Sequence, residues 1–223
     1  MNTARMSALR HIQGSGTEKK EKKMKIIMAT GNANKVREVR EMLAGTDIEI
    51  LSMKEAGIDA EIIENGKTFE ENAIIKAETI RDISGQMVFA DDSGLEIDFL
   101  GKKPGVHSSR FMGEDTSYDI KNAHILELLE GVPDEKRSAR FVCSIAIAYP
   151  DRETKTFTGV FEGRIAHSPA GQNGFGYDPI FYVPERGCTS ASLTPQEKNE
   201  ISHRGKALRM AAEYLVSGGS DQA

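Results

Sequence analysis

A short apolar run, Met87-Val88-Phe89-Ala90, passes straight into Asp91-Asp92-Ser93-Gly94. A continuous apolar stretch of this length reads as a buried strand rather than a half-exposed one. The strand is expected to stop at Ala90 and to present the two aspartates at its end. Adjacent carboxylates at a strand end repel each other, so their presence needs a reason. A hard divalent cation such as Mg²⁺ supplies one, because it prefers carboxylate, water and phosphate oxygens. A catalytic role supplies another, with one carboxylate acting as general base toward water. Asx-turn chemistry leading into Ser93-Gly94 is the purely structural alternative.

The neighbouring segments supply the rest of the fold. Lys25-Ile26-Ile27-Met28-Ala29, stopped by Thr30-Gly31-Asn32, predicts a strand and then a turn. Val36, Val39, Met42 and Leu43 predict a helix to about Leu43, and Ile48-Glu49-Ile50-Leu51 a second strand. Residues 52–67 are acidic and loop-like. Phe69, Ala73, Ala77 and Ile80 share one face of a helix over 68–83, with Thr68 and Glu71 at capping-box spacing. Ile120, Ala123, Leu126, Leu128 and Leu129 predict a helix over 117–129, stopped by Gly131 and Pro133. Residues 138–149 and 154–166 read as long strands joined at Tyr149-Pro150-Asp151-Arg152. A last helix over 203–216 carries Leu208, Ala211, Ala212 and Leu215 on one face. Early strand–helix alternation followed by a hairpin implies an α/β protein with a mixed sheet.

Charge narrows the partners. The net charge is −5, but residues 1–23 carry a balance of +4, which leaves about −9 on the 200 residues that follow. An acidic body argues against nucleic acid held on an open basic surface. A small anionic substrate in a local pocket remains compatible with it. No stretch approaches the roughly 18 consecutive apolar residues of a membrane span. Cys143 and Cys188 form neither a disulfide framework nor a zinc spacing, which points to the cytoplasm. Residues 1–23 read as a disordered extension, 24–217 as one domain and 218–223 as a flexible tail.

Four segments could carry chemistry. Thr30-Gly31-Asn32-Ala33-Asn34-Lys35 lies between a strand and a helix, where backbone N–H groups favour anions. It reads either as a triphosphate cradle or as a turn with a solvated lysine. Glu64, Asn72 and Lys76 could complete a metal and phosphate site, or form a solvated helix face. Phe175, Gly176, Tyr177 and Asp178 lie in the glycine-rich loop 168–179. Its aromatics could stack on a base and its aspartate accept from ring N–H groups, or the loop could simply be packed over them. Lys198, Ser202, His203 and Arg204 fall at the expected start of the last helix, as ligand contacts or as a surface group. His107 and His124 are assigned to structure.

Taken together, these segments resemble the inosine triphosphate pyrophosphatase family, also called the Ham1 family of non-standard purine NTP pyrophosphatases, and its bacterial branch above all. The resemblance rests on ATGNANK at 29–35, GKTFEENAIIKA at 66–77, ADDSGLEID at 90–98, PGVHSSRF at 104–111, GFGYDPIF at 174–181 and LTPQEKNEISHRGKAL at 193–208. It implies a long mixed sheet with flanking helices and two lobes around a substrate cleft. It implies hydrolysis of ITP, dITP and XTP to the monophosphate and pyrophosphate, with one or more Mg²⁺ per subunit, in a homodimer. By the same resemblance Asp92 is the proton acceptor and a metal ligand. Lys76 and Asp91 join it as catalytic residues. Thr30, Gly31, Asn32, Ala33, Asn34 and Lys35 hold the triphosphate, and Ser93 contacts substrate. Phe175, Gly176, Tyr177 and Asp178 form the base pocket, with Phe175 stacking, and Lys198, His203 and Arg204 complete nucleotide binding. At one position the chain departs from the family. Ile63 stands where a metal-site glutamate is common, and Glu64 is the nearest substitute.

Overall fold

Residues 23–217 are described by a computed structural model. The tail expected at 218–223 and, but for residue 23, the extension expected at 1–23 lie outside the described residues. The elements are β1 (Met24–Met28), α1 (Ala33–Met42), β2 (Ile48–Ser52), α2 (Phe69–Ser84) and β3 (Val88–Ile97), then β4 (Lys103–Pro104) and α3 (Tyr118–Leu128). There follow β5 (Ser138–Ala148), β6 (Lys155–Ile165), β7 (Phe181–Val183), β8 (Cys188–Thr189), α4 (Pro195–Ile201) and α5 (His203–Val216). One eight-stranded sheet runs β2-β1-β3-β5-β6-β7-β8, with β4 added beside β3. β1 is parallel to β2 and β3, whereas the β3–β5, β5–β6, β6–β7 and β7–β8 pairs are antiparallel. The mixed sheet is the one the pattern of the sequence implies. No helix among the described residues is long and apolar enough to cross a membrane.

Three hydrophobic clusters fill the fold. Val36, Val39, Leu208, Ala211 and Leu215 pack α1 and α5 on one face of the β1/β2 end. Ala73, Ala77 and Ile80 pack α2 on the opposite face, against Ile27, Val88 and Ala90. The third cluster surrounds the far ends of β3, β5 and β6, with Leu95, Ile125, Phe141, Phe161 and Phe181. Two lobes therefore share one sheet, and β3 belongs to both.

The strand expected to stop at Ala90 does not stop there. β3 continues through both aspartates, with Asp91 opposite Ile145 and Asp92 opposite Ser144 on β5. Side chains alternate across a strand, so the two carboxylates point to opposite faces and the expected crowding is relieved. This also removes the Asx turn considered for Ser93-Gly94, which pair with Cys143 and Val142. Gly94 is required at its position, because a Cβ there would lie 2.4 Å from Ser108 Oγ.

Three smaller expectations are corrected as well. The Thr68 side chain accepts from Glu71 N, but the Glu71 carboxylate turns back to Lys67 N rather than Thr68 N, so the capping box is only half made. On α3 the apolar residues do not define the buried face: Ile120 is 55% and Leu128 43% exposed. Lys121 and Asn122 are buried instead, because Lys121 Nζ donates to Ser109 O and Asn122 Nδ2 to Gly176 O. Lys198 belongs to a separate helix, α4, opened by a complete Thr194/Glu197 capping box.

Candidate active site

A cleft of about 970 Å³ opens between the lobes, at the upper end of the size range for a small-molecule site. Asp92 lines it from the α2 side of β3. Lys76 Nζ donates to Asp92 Oδ1 at 2.9 Å and Asn72 Nδ2 to Asp92 Oδ2 at 3.2 Å. Burial pushes the Asp92 carboxyl above its ordinary value, and Lys76 and Lys35 offset only part of that. Lys76 is itself buried, which works against its charge. The surrounding Asp92, Asp91 and Glu64 overcome this and hold its pKa above the ordinary value. The result is a cation fixed beside a carboxylate that binds a proton more readily than usual.

Asp91, expected among the catalytic residues, is fully buried and lines no part of the cleft. On the α1/α5 side of β3 its Oδ2 meets Lys35 Nζ at 2.9 Å and the Arg204 guanidinium at 3.3 Å. Burial alone would raise its pKa, but Lys35 and Arg204 hold it well below the ordinary carboxylate range. It is an anchor for cations. Arg204 is held equally firmly. Its guanidinium also donates to Ser93 Oγ at 2.9 Å and to the Glu38 carboxylate. Glu38 was not among the sequence candidates. Its partner Arg204 lies on α5, and nothing in the local pattern of α1 marks it.

The turn after β1 is organised by Asn32, which caps α1 by accepting from Asn34 N at 2.9 Å and Lys35 N at 3.3 Å. Thr30, Gly31, Asn32, Ala33 and Lys35 line the cleft, while Asn34 does not. Asn34 therefore contributes its backbone to the cap rather than its side chain to the wall.

At the other end lies the glycine-rich loop. Phe175, Gly176, Tyr177 and Asp178 line the cleft with Lys198, His203 and Arg204. Phe175 lies over the Lys198 ammonium and the Arg204 guanidinium, at 5.2 and 5.7 Å from its ring centre. Asp178 also serves the protein, its oxygens accepting from Phe175 N at 2.8 Å, Lys198 Nζ at 2.7 Å and Ser190 Oγ at 2.9 Å. Tyr177 OH donates to Ser108 O at 2.8 Å. His203 stacks on Phe141 with ring centres 4.9 Å apart. Burial, reinforced by Arg204 and Lys198, pushes its pKa well below the ordinary 6.5, so the ring is neutral near pH 7.

Among the described residues, no three His, Cys, Asp or Glu side chains converge as a protein cage for a metal. Mg²⁺ does not require one, since it commonly takes one or two carboxylates and completes its shell with water and phosphate. Asp92 and Glu64 fit that donor set. Both line the cleft, and both lie within 3.0 Å of Lys76 Nζ. Ile63 is 75% exposed and turns away.

The sequence pattern of the Ham1 family matches residues 26–214. The chain is 50% identical over 191 residues to a dITP/XTP pyrophosphatase of Bacillus licheniformis, covering 85% of this chain and 97% of the relative. It is 47% identical over 194 residues to a dITP/XTP pyrophosphatase of Caldanaerobacter subterraneus, covering 86% and 96%. A solved structure of a Ham1 protein from Coxiella burnetii superposes with a TM-score of 0.80 at 44% identity, covering 87% of this chain and 99% of that one.

Proposed function

The chain belongs to the Ham1 family, and from that premise we propose that it is a nucleoside triphosphate pyrophosphatase. It hydrolyses non-standard purine nucleotides (ITP, dITP, XTP and dXTP) to the monophosphate and pyrophosphate, and so keeps these bases out of DNA and RNA. The observation that carries the reading is Asp92, a carboxylate of raised pKa on the cleft wall, held by Lys76 and Asn72. Asp92 takes a proton from the water that attacks the α-phosphorus. Lys35 and Lys76 stand where the negative charge of the triphosphate needs compensation. Asp92 and Glu64 are the residues that would hold Mg²⁺, which when bound neutralises phosphate charge. Asp91 acts indirectly, by fixing Lys35 and Arg204.

The base end gives selectivity. Phe175 stacks on the purine, with Lys198, His203 and Arg204 around it. A site wired for a 6-oxo group and a ring N–H leaves unpaired groups when adenine enters. Asp178 serves it by setting the loop and Lys198. The working unit is a homodimer, which rests on the family resemblance, and its compartment is the cytoplasm, which rests on the cysteine pattern.

The test is pyrophosphate release from ITP, XTP, dUTP, ATP and GTP with Mg²⁺. Release mainly from ITP and XTP is expected. Orthophosphate as the first product would mean a different cleavage site, and no product from any nucleotide would favour a nucleotide-binding protein without hydrolysis.

A further inference from the structure

We infer that Asn72 is a positioning residue that latches the proton acceptor Asp92 to the loop carrying Glu64. The inference rests on the hydrolase reading above and names a part of the same site. Asn72 is fully buried on α2, one turn before Lys76, and it forms no part of the cleft wall. Its Oδ1 accepts from Gly66 N at 2.8 Å. That bond fixes the amide, since the flipped orientation would set donor against donor. Nδ2 must therefore face Asp92 Oδ2, and it does, at 3.2 Å. Lys76 grips the other oxygen at 2.9 Å. Donors from consecutive turns of one helix thus hold both oxygens and set the plane of the carboxylate.

The opposite end of the amide explains the loop. A Cβ on Gly66 would lie 2.7 Å from Asn72 Oδ1 and 2.9 Å from Asn72 N, so the loop reaches the helix this closely only as glycine. Two residues upstream, Glu64 reaches Lys76 Nζ at 3.0 Å. One buried amide therefore sets the mutual position of Asp92 and Glu64, two of the carboxylates that line the cleft. A buried asparagine that only satisfied the Gly66 N–H would affect stability alone. A latch acts on turnover, because reacting groups misplaced by about 1 Å lose on the order of a hundredfold in rate.

The experiment compares wild type with Asn72→Asp, Asn72→Ala and Gly66→Ala in steady-state pyrophosphate release from ITP with Mg²⁺. Circular dichroism and thermal melts accompany it. Asn72→Asp keeps the acceptor for Gly66 and replaces the donor to Asp92 with a like charge, whereas Gly66→Ala keeps the amide and displaces it without adding charge. We expect kcat to fall about 10- to 100-fold in folded protein, with KM within about threefold of wild type, because the lost interaction is needed in the transition state. A kcat within about twofold of wild type in Asn72→Asp and Gly66→Ala overturns the latch, as does a loss confined to KM. Should Asn72→Ala fail to fold, the other two variants decide. Wild-type chain that releases no pyrophosphate from ITP breaks the underlying reading and the latch with it. Active wild type with equally active variants breaks the latch alone.

Discussion

At one end of the cleft, Asp92 receives two hydrogen bonds, from Lys76 and Asn72, and its pKa is raised. At the other end, Asp178 receives three, from Phe175 N, Lys198 Nζ and Ser190 Oγ. Both are buried carboxylates beside a lysine, yet the structure uses them differently. Asp178 is satisfied by the protein and holds a loop in shape. Asp92 accepts fewer hydrogen bonds and pays for its burial in proton affinity. On the proposed reading Asp92 is the reagent and Asp178 a brace, and what differs between them is the number of donors already committed to each carboxylate.

Two substitutions test that contrast, the larger effect first. Asp92→Asn should lower kcat about 10²- to 10⁴-fold, the range for loss of a general base, with an unchanged circular dichroism spectrum. A rate near wild type would remove Asp92 as the proton acceptor and erase the distinction. Asp178→Asn should act in the other direction. It strips the partner from the buried Lys198 ammonium, which costs on the order of 3–5 kcal/mol for a broken buried pair. We expect a lower thermal midpoint and a KM for ITP raised at least about tenfold, with a smaller loss in kcat. An Asp178→Asn enzyme with wild-type melting and KM but no turnover would make Asp178 the reagent.

Much of the two-sided contrast was legible in the sequence, but unevenly. Apolar periodicity marked β1, α1, β2, α2 and the β5–β6 hairpin, because each buries a regular face that the chain writes locally. The path of β3 was not legible. Two aspartates and a glycine look like the end of a strand, and what allows the strand to continue lies far off, in Lys35 on α1 and in Arg204, 113 positions away. The same distance hides Glu38, whose partner Arg204 is 166 positions on. On α3 the exposed Ile120 and the buried Lys121 invert the usual rule, since the lysine is satisfied by a carbonyl of the 105–109 segment. The helix α4 left a readable signal in Thr194, Pro195 and Glu197, a capping box with proline at the first turn. Asp178 was identified by motif, but its three donors could only come from three dimensions.

A contrast of the same kind lies within β3 itself and concerns stability rather than rate. Asp91 has a lowered folded pKa, so its contribution to stability is present above the ordinary carboxylate value of 3.8 and fades as pH falls toward the depressed folded value. Asp92 has a raised folded pKa, so its ionised form costs stability above that value, and the cost disappears once both states are protonated. Neighbours in sequence thus carry opposite signs. In buffers without divalent cations, Asp91→Asn should melt below wild type at pH 7, with the gap narrowing in acid. Asp92→Asn should melt at or above wild type at pH 7, with any advantage vanishing in acid. A destabilised Asp92→Asn at pH 7 would mean that its bonds to Lys76 and Asn72 outweigh its desolvation. The site would then be preorganised at no cost to the fold, and Asp92 would stand closer to Asp178 than the donor count places it.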